Sequence, residues 1–136
     1  LPLDHIAYQA SSKEEYDQIL LEFANQGELV SEEVIGGRRV AAFRLAEPLI
    51  YKNYSIPALE LVEPKEGQIC ESDFQHAEFV VSQPLESYIS QYPHIKWDSS
   101  SLNRDAFSHL KLNFANGLTL KFLQRPILEQ FGEKKR

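Results

Sequence analysis

The sequence has one cysteine, Cys70, in 136 residues, so no internal disulfide can staple the fold, and a reducing compartment is the natural setting. It also lacks any apolar run near the ~20 residues needed to cross a bilayer as a helix, and no charged-then-apolar leader precedes Leu1. A soluble, cytoplasmic protein is therefore expected. Methionine is absent as well, so Leu1 is not an initiator residue and an upstream segment is expected. Basic charge is scarce: the formal net charge is −6, and only Lys134, Lys135 and Arg136 form a cationic run, read as a solvated end. That balance argues against a nucleic-acid or membrane-surface partner.

Apolar material is plentiful. With 43% hydrophobic and 11% aromatic residues, the chain can build the core of one domain without metal or disulfide support. The stretch "LDHIAYQ" alternates Ile6 and Tyr8 against His5, Ala7 and Gln9, the pattern of a half-buried strand. Ser11 and Ser12 precede Glu14 and Glu15 by three residues, forming overlapping capping boxes for a helix with Tyr16, Ile19, Leu20 and Phe23 at helical spacing and a stop at Gly27. Gly36-Gly37 marks a hairpin, "AEPLIYKNYSIP" reads as a loop, and "ALELVE" completes the first half as a fourth strand.

The second half repeats the order. A strand at "HAEFVV" leads to a helix opened by Pro84 and ended by Pro93, then to a short strand "IKWDS" and to "HLKLNF" and "LTLKFLQ" about an Asn116-Gly117 turn. The expected organisation is α+β: two βαβββ modules, 1–66 and 72–126, followed by a tail at 127–136, the whole forming a single domain. The acidic stretch "EPKEGQICESD" is the connector between them.

Alternation also sorts the faces. Leu110, Leu112, Phe114, Leu118, Leu120 and Phe122 share an apolar side that should meet the helices, while His109, Lys111, Asn113, Thr119 and Lys121 share the other. By the same rule His5, Glu60 and His76 point away from the helices, onto that second surface. Water is the plain reading of a polar sheet face; a binding cavity is the other. His94 reads as a surface residue, and "WDSSSLNRD" shows no nucleophile arrangement distinct from a loop.

The duplicated βαβββ order, with His in "DHI" and "QHAEF" and Glu in "LELVE", resembles the vicinal oxygen chelate superfamily, which includes glyoxalase I, extradiol dioxygenases and bleomycin-resistance proteins. The wording is also similar to YecM-like proteins in "DHI", "FRL", "QHAEF" and "LKFLQ", although the N-terminal helical extension usual in those chains is not seen. The resemblance implies a curled half-barrel with helices on its convex face and one divalent metal on its concave face, held by His5, Glu60 and His76. At the fourth ligand position stands Lys121, where glyoxalase I has a second Glu.

Two imidazoles and a carboxylate suit Fe, Mn, Ni, Co or Zn and leave open positions for substrate. Lys121 is a poor ligand but, with Arg38, Arg44 and His109, a candidate to hold an anionic, oxygen-chelating substrate. Glu78 is a base candidate, with solvation or pairing to a lysine as its plain alternative. The resemblance therefore implies an isomerase, lyase or dioxygenase-like metalloprotein of unassigned reaction. A metal-free module that binds or sequesters a small molecule on the same scaffold is the competing reading. Cross-strand ion pairs that leave no site, and an interaction surface at the sheet edge or at "AEPLIYKNYSIP", complete the alternatives; monomer and homodimer both stay open.

Overall fold

The computed structural model describes residues 3–103, 108–114 and 118–129. Its elements are β1 (Leu3–Gln9), α1 (Lys13–Ala24), β2 (Gly27–Ile35), β3 (Arg38–Tyr51), β4 (Tyr54–Val62), β5 (Asp73–Val80), α2 (Leu85–Gln91), β6 (Leu110–Asn113) and β7 (Thr119–Leu123). The strands form one mixed, curled, unclosed sheet in the order β2-β3-β4-β1-β5-β7-β6. β1 and β4 are parallel, as are β5 and β7, while β1 meets β5 antiparallel in the middle. The order is thus mirrored about the β1–β5 seam, which is how a duplicated unit closes on its own copy.

α1 starts where the capping residues require. The Ser12 side chain accepts the backbone N–H of Glu15 at 3.0 Å, and the Ser11 N–H donates back to the Glu15 carboxylate at 2.9 Å. Its apolar side, Tyr16, Ile19, Leu20 and Phe23, packs on Ala41, Phe43, Leu45, Leu59 and Leu61 of the convex face. Burying a side chain such as Phe43 is worth roughly 1.5–3 kcal/mol, so this layer supplies much of the drive to fold. α2 packs similarly: Leu85, Tyr88 and Ile89 meet Val81, Leu110, Trp97 and Phe122. The apolar side expected of β6 and β7 is buried at Leu110 but opens at the strand ends, where Phe114 is 50% and Leu118 46% exposed.

Two expected boundaries move. "AEPLIYKNYSIP" is the far end of a long β3–β4 hairpin, turning at Lys52, whose φ is 52°. Arg44 pairs with Ala58 and Leu49 with Ile56, so the ladder skips across Pro48, and the proline sits where no ladder hydrogen bond is asked of it. "IKWDS" contributes only an isolated bridge, Asp98 to Lys111. The Asp98 carboxylate turns back to Ser100 N and Oγ, at 3.0 and 2.6 Å, and this local turn cuts the strand short. The Asn116-Gly117 turn and the basic run Lys134–Arg136 lie outside the described residues.

Residues 127–129, expected in the tail, form a helical turn on the concave face. Ile127 is 4% exposed and packs with Leu128 against Val40, Ala42, Ala58 and Val62.

Candidate metal centre

Register places the polar side chains of the concave face. Residues directly opposite one another in a sheet project to the same side. Ala58, His5, Glu78 and Lys121 form one such row across β4, β1, β5 and β7; Glu60, Ala7, His76 and Thr119 form the next. Ala7 separates Glu60 from His76, and its methyl group leaves the middle open for the longer side chains to converge. They do converge: one ligand atom each from His5, Glu60, His76 and Glu78 lies within 4.8 Å of the other three.

Contacts between imidazole and carboxylate are more telling than the outer limit. His5 Nε2 is 3.3 Å from Glu60 Oε2 and 3.4 Å from Glu78 Oε1, and His76 Nε2 is 3.6 Å from Glu60 Oε1 and 3.4 Å from Glu78 Oε1. Ligands on one ion with bonds of ~2.0–2.2 Å stand roughly 3–3.5 Å apart, so the spacing fits a shared cation. Both Nε2 atoms are buried and lack a hydrogen-bond partner among the described residues. Buried polar atoms normally find partners, so two orphans that each lie 3.4 Å from Glu78 Oε1 fit a cation shared among these groups. Behind His5, Asp4 Oδ2 accepts from Nδ1–H at 2.7 Å, which leaves Nε2 as the lone-pair atom in the neutral ring.

Electrostatics tell the same story from the proton side. Burial opposes the charged form of His5, yet the charge of Glu78 and the closeness of the Asp4, Glu60 and Glu78 carboxylates outweigh it and hold His5 well above its ordinary value of 6.5. Burial likewise pushes Glu60 and Glu78 up, and the His5 and His76 rings overcome it, so both carboxyls sit below 4.5, Glu78 well below. Protons on imidazole thus balance a pair of buried anions, a role that a divalent cation fills with the same sign of charge.

The three residues expected as ligands therefore lie together, and Glu78 joins them. It is 7% exposed, a buried member of the cluster and not a solvated side chain. The duplication explains its place. Ile6 pairs with Leu59 in the first half, Ala77 with Leu120 in the second, and Ile6 with Ala77 across the seam. One residue along from each, Glu60 corresponds to Lys121 and Ala7 to Glu78. The second half has a lysine where the first has a carboxylate, and carries its carboxylate on the neighbouring strand. Lys121 Nζ then lies 3.8 Å from Glu78 Oε1, a cation beside the displaced acid.

The other candidates stand apart from this cluster. Arg44 is largely exposed and bonded to Glu28 at 3.1 Å on the neighbouring strand. Arg38 is half-buried on the concave side and makes no salt bridge among the described residues; burial pulls its guanidinium below the ordinary value, and the nearby Glu60 charge offsets part of that. His109 is buried beside the start of β6, with its backbone N–H on Ser101 O at 3.2 Å.

Residues 1–125 match the family described as YecM protein. The chain belongs to that family. Among solved structures it is similar to one described as Structural Genomics, Protein EC4020, at 23% identity over 98% of this chain and 77% of that one, with a TM-score of 0.78. It is also similar to a single-substitution variant of Streptomyces coelicolor methylmalonyl-CoA epimerase in complex with 2-nitronate-propionyl-CoA, at 14% identity over 89% and 94% of the two chains and a TM-score of 0.63. A methylmalonyl-CoA epimerase in complex with methylmalonyl-CoA and NH4+ matches with the same TM-score of 0.63 and 14% identity, over 89% and 92%. These likenesses place this YecM family member in the vicinal oxygen chelate fold. No curated protein matches the sequence. No helix among the described residues is long and apolar enough to cross a membrane.

Proposed function

We propose that the concave face of this YecM family member binds one divalent transition metal through His5, Glu60, His76 and Glu78, and that the site acts on a small anionic molecule able to chelate through oxygen. The convergence of two orphaned imidazole nitrogens on two carboxylates carries the reading. The donor set suits Fe, Mn, Co, Ni or Zn in preference to Mg or Ca, which favour oxygen alone. When bound, such an ion supplies Lewis-acid polarisation of substrate oxygens.

The chain's own residues supply the rest. Lys121, whose Nζ lies 3.8 Å from Glu78 Oε1, holds an incoming carboxylate or enolate oxygen. Arg38 is a second anchor, because no ion pair among the described residues occupies it. Glu78, shared between the cluster and Lys121, is the carboxylate best placed to move a proton in an isomerase- or lyase-type step. The epimerase structures of the same fold hold acyl-CoA ligands, which agrees with a small-molecule site.

The test is elemental analysis of untagged protein after reconstitution with each metal, repeated on His5→Ala/His76→Ala. Close to one equivalent in wild type and almost none in the double variant is expected. Less than about a tenth of an equivalent for every metal would overturn the reading. The competing metal-free binding module draws on Lys121, a cation where the duplicated half has a carboxylate. Organic anions that stabilise the protein in excess EDTA, and fail to stabilise Lys121→Ala, would favour it.

A further inference from the structure

Strict alternation along β1 would put Asp4 with Ile6 and Tyr8 beneath α1, on the face away from His5. The strand breaks that alternation at this residue. Leu3 pairs with Phe79 and His5 with Glu78, so two steps on β1 oppose one on β5, and Asp4 is the extra residue of a bulge. Bulges bend the strand and re-aim a side chain. Here the re-aimed carboxylate is buried, 7% exposed, and one of its oxygens does two jobs. Oδ2 accepts His5 Nδ1–H at 2.7 Å and the backbone N–H of Ile127 at 3.0 Å.

The second donor comes from the far end of the described chain. Ile127 sits in the turn that follows Pro126, closed by the Glu129 N–H on Pro126 O at 3.1 Å, and its side chain fills the apolar part of the hollow over β3 and β4. We propose that Asp4 is the positioning residue for His5 and that the Pro126–Glu129 turn is a strap latched by the same oxygen, so that cation binding and strap docking reinforce each other. This rests on the metal reading above. A ring pinned at Nε2 by a cation no longer swings away from Asp4, which keeps Oδ2 where the Ile127 N–H needs it. A docked strap in turn holds Oδ2 where Nδ1–H needs it, with Nε2 facing the other three donors. Coupling of this kind is reciprocal: whatever factor the strap adds to cation affinity, the cation adds to strap docking.

The experiment uses the full chain and Zn(II) alone as the probe. Zn(II) affinity is measured by competition with a chelator for wild type and Asp4→Asn. Amide exchange at Ile127 is followed with Zn(II) and with EDTA, and the protonated ring nitrogen of His5 is identified by long-range ¹H–¹⁵N correlation in the Zn(II) form. Loss of a carboxylate behind a ligating imidazole costs roughly 10–100-fold in affinity, and that fall is expected in Asp4→Asn, together with a changed His5 Nδ1 signal. In wild type, exchange at Ile127 is expected to slow by about the factor by which strap docking raises affinity, on the order of tenfold. A stabilising tie alone would leave the ring signal unmoved, which would overturn the positioning role. An affinity in Asp4→Asn within about threefold of wild type would do the same and leave the metal reading standing. Unchanged Ile127 exchange in wild type overturns the coupling, and that measurement needs no variant to fold. A wild type that takes up no Zn(II) overturns this proposal, and the metal reading falls with it when the elemental analysis finds none of the other metals either.

Discussion

The Nε2 atoms of His5 and His76 lie equally far, 3.4 Å, from the same atom, Oε1 of Glu78. A site built from His5, Glu60 and His76 alone would be indifferent to that atom. Glu78→Gln keeps the side chain's size and removes its charge, so Zn(II) affinity in a chelator competition is expected to fall by at least about tenfold. An affinity equal to that of wild type would confine the donor set to the other three residues.

The proton balance of the cluster gives a pH signature. Glu60 and Glu78 sit below their ordinary 4.5, so what they contribute to stability is present above that value and lost as pH falls through their lowered values. His5 sits above 6.5, so its contribution is complete below 6.5 and lost as pH rises through its raised value. Without metal, the melting temperature should therefore decline on both flanks, including an alkaline flank above 6.5. Metal removes the His5 proton. At neutral pH, Zn(II) binding should release protons, seen as a binding heat that changes with the buffer's ionisation enthalpy, and saturating Zn(II) should flatten the alkaline decline. A binding heat independent of buffer would contradict the assignment.

Alternation along single strands was enough to read His5, Glu60 and His76 onto one face, because the pairing runs residue for residue from His5 to Ala7 against both Ala58–Glu60 and Glu78–His76. The same rule misplaces Asp4, since a bulge is a property of two strands in register and leaves no mark in either one alone. Glu78 was legible as a residue of the polar face, but its burial depends on β1 and β7 closing on both sides of it. "AEPLIYKNYSIP" has the composition of a loop; only the ladder between β3 and β4 makes it a hairpin, with Pro48 and Pro57 in the irregularity. The docking of Ile127 is a contact between chain positions 123 residues apart, and no local pattern encodes it.

Ala7 is wholly buried between Glu60 and His76 on the concave face. Ala7→Leu fills the point on which the four side chains converge. Overpacking of this kind costs about 1–3 kcal/mol, which lowers the denaturation midpoint without abolishing the fold. Zn(II) uptake, by contrast, should be lost. Binding that survives in a folded Ala7→Leu protein would mean that the cation sits elsewhere.

Gly27 opens β2 under a different constraint. A Cβ there would lie 2.1 Å from the backbone oxygen of Arg44, and a backbone atom cannot rotate out of the way. Gly27→Ala should thus force β2 from β3 at this end of the sheet and destabilise by about 1–3 kcal/mol in urea unfolding. The proposed metal site lies on β1, β4 and β5, so Zn(II) affinity of the folded variant should stay near wild type. Loss of affinity without loss of stability would show that the edge of the sheet reaches the site.

The duplication supplies the sharpest test, because it says where a carboxylate can be moved. Lys121 corresponds to Glu60, and Glu78 to Ala7, so Glu78→Ala/Lys121→Glu rebuilds in the second half the pair that the first half carries. Glu78→Ala alone removes a donor and leaves the Lys121 ammonium facing the cluster, and should bind Zn(II) poorly. Lys121→Glu alone adds a carboxylate beside Glu78, Oε1 of which already lies within 3.8 Å of the lysine it replaces, and should lower stability without metal through like-charge repulsion. Adding Lys121→Glu to Glu78→Ala should recover affinity, giving a coupling energy in the double-mutant cycle of the order seen for residues in contact, roughly 0.5–3 kcal/mol. The recovery has a structural condition: the new carboxylate must reach from β7 over the small side chain left at position 78, as Glu60 reaches from β4 over Ala7 toward His5 and His76. Additive losses in the cycle would mean that the halves are equivalent in backbone order but not in the direction of their side chains, and the correspondence between Glu60 and Lys121 would fail with them.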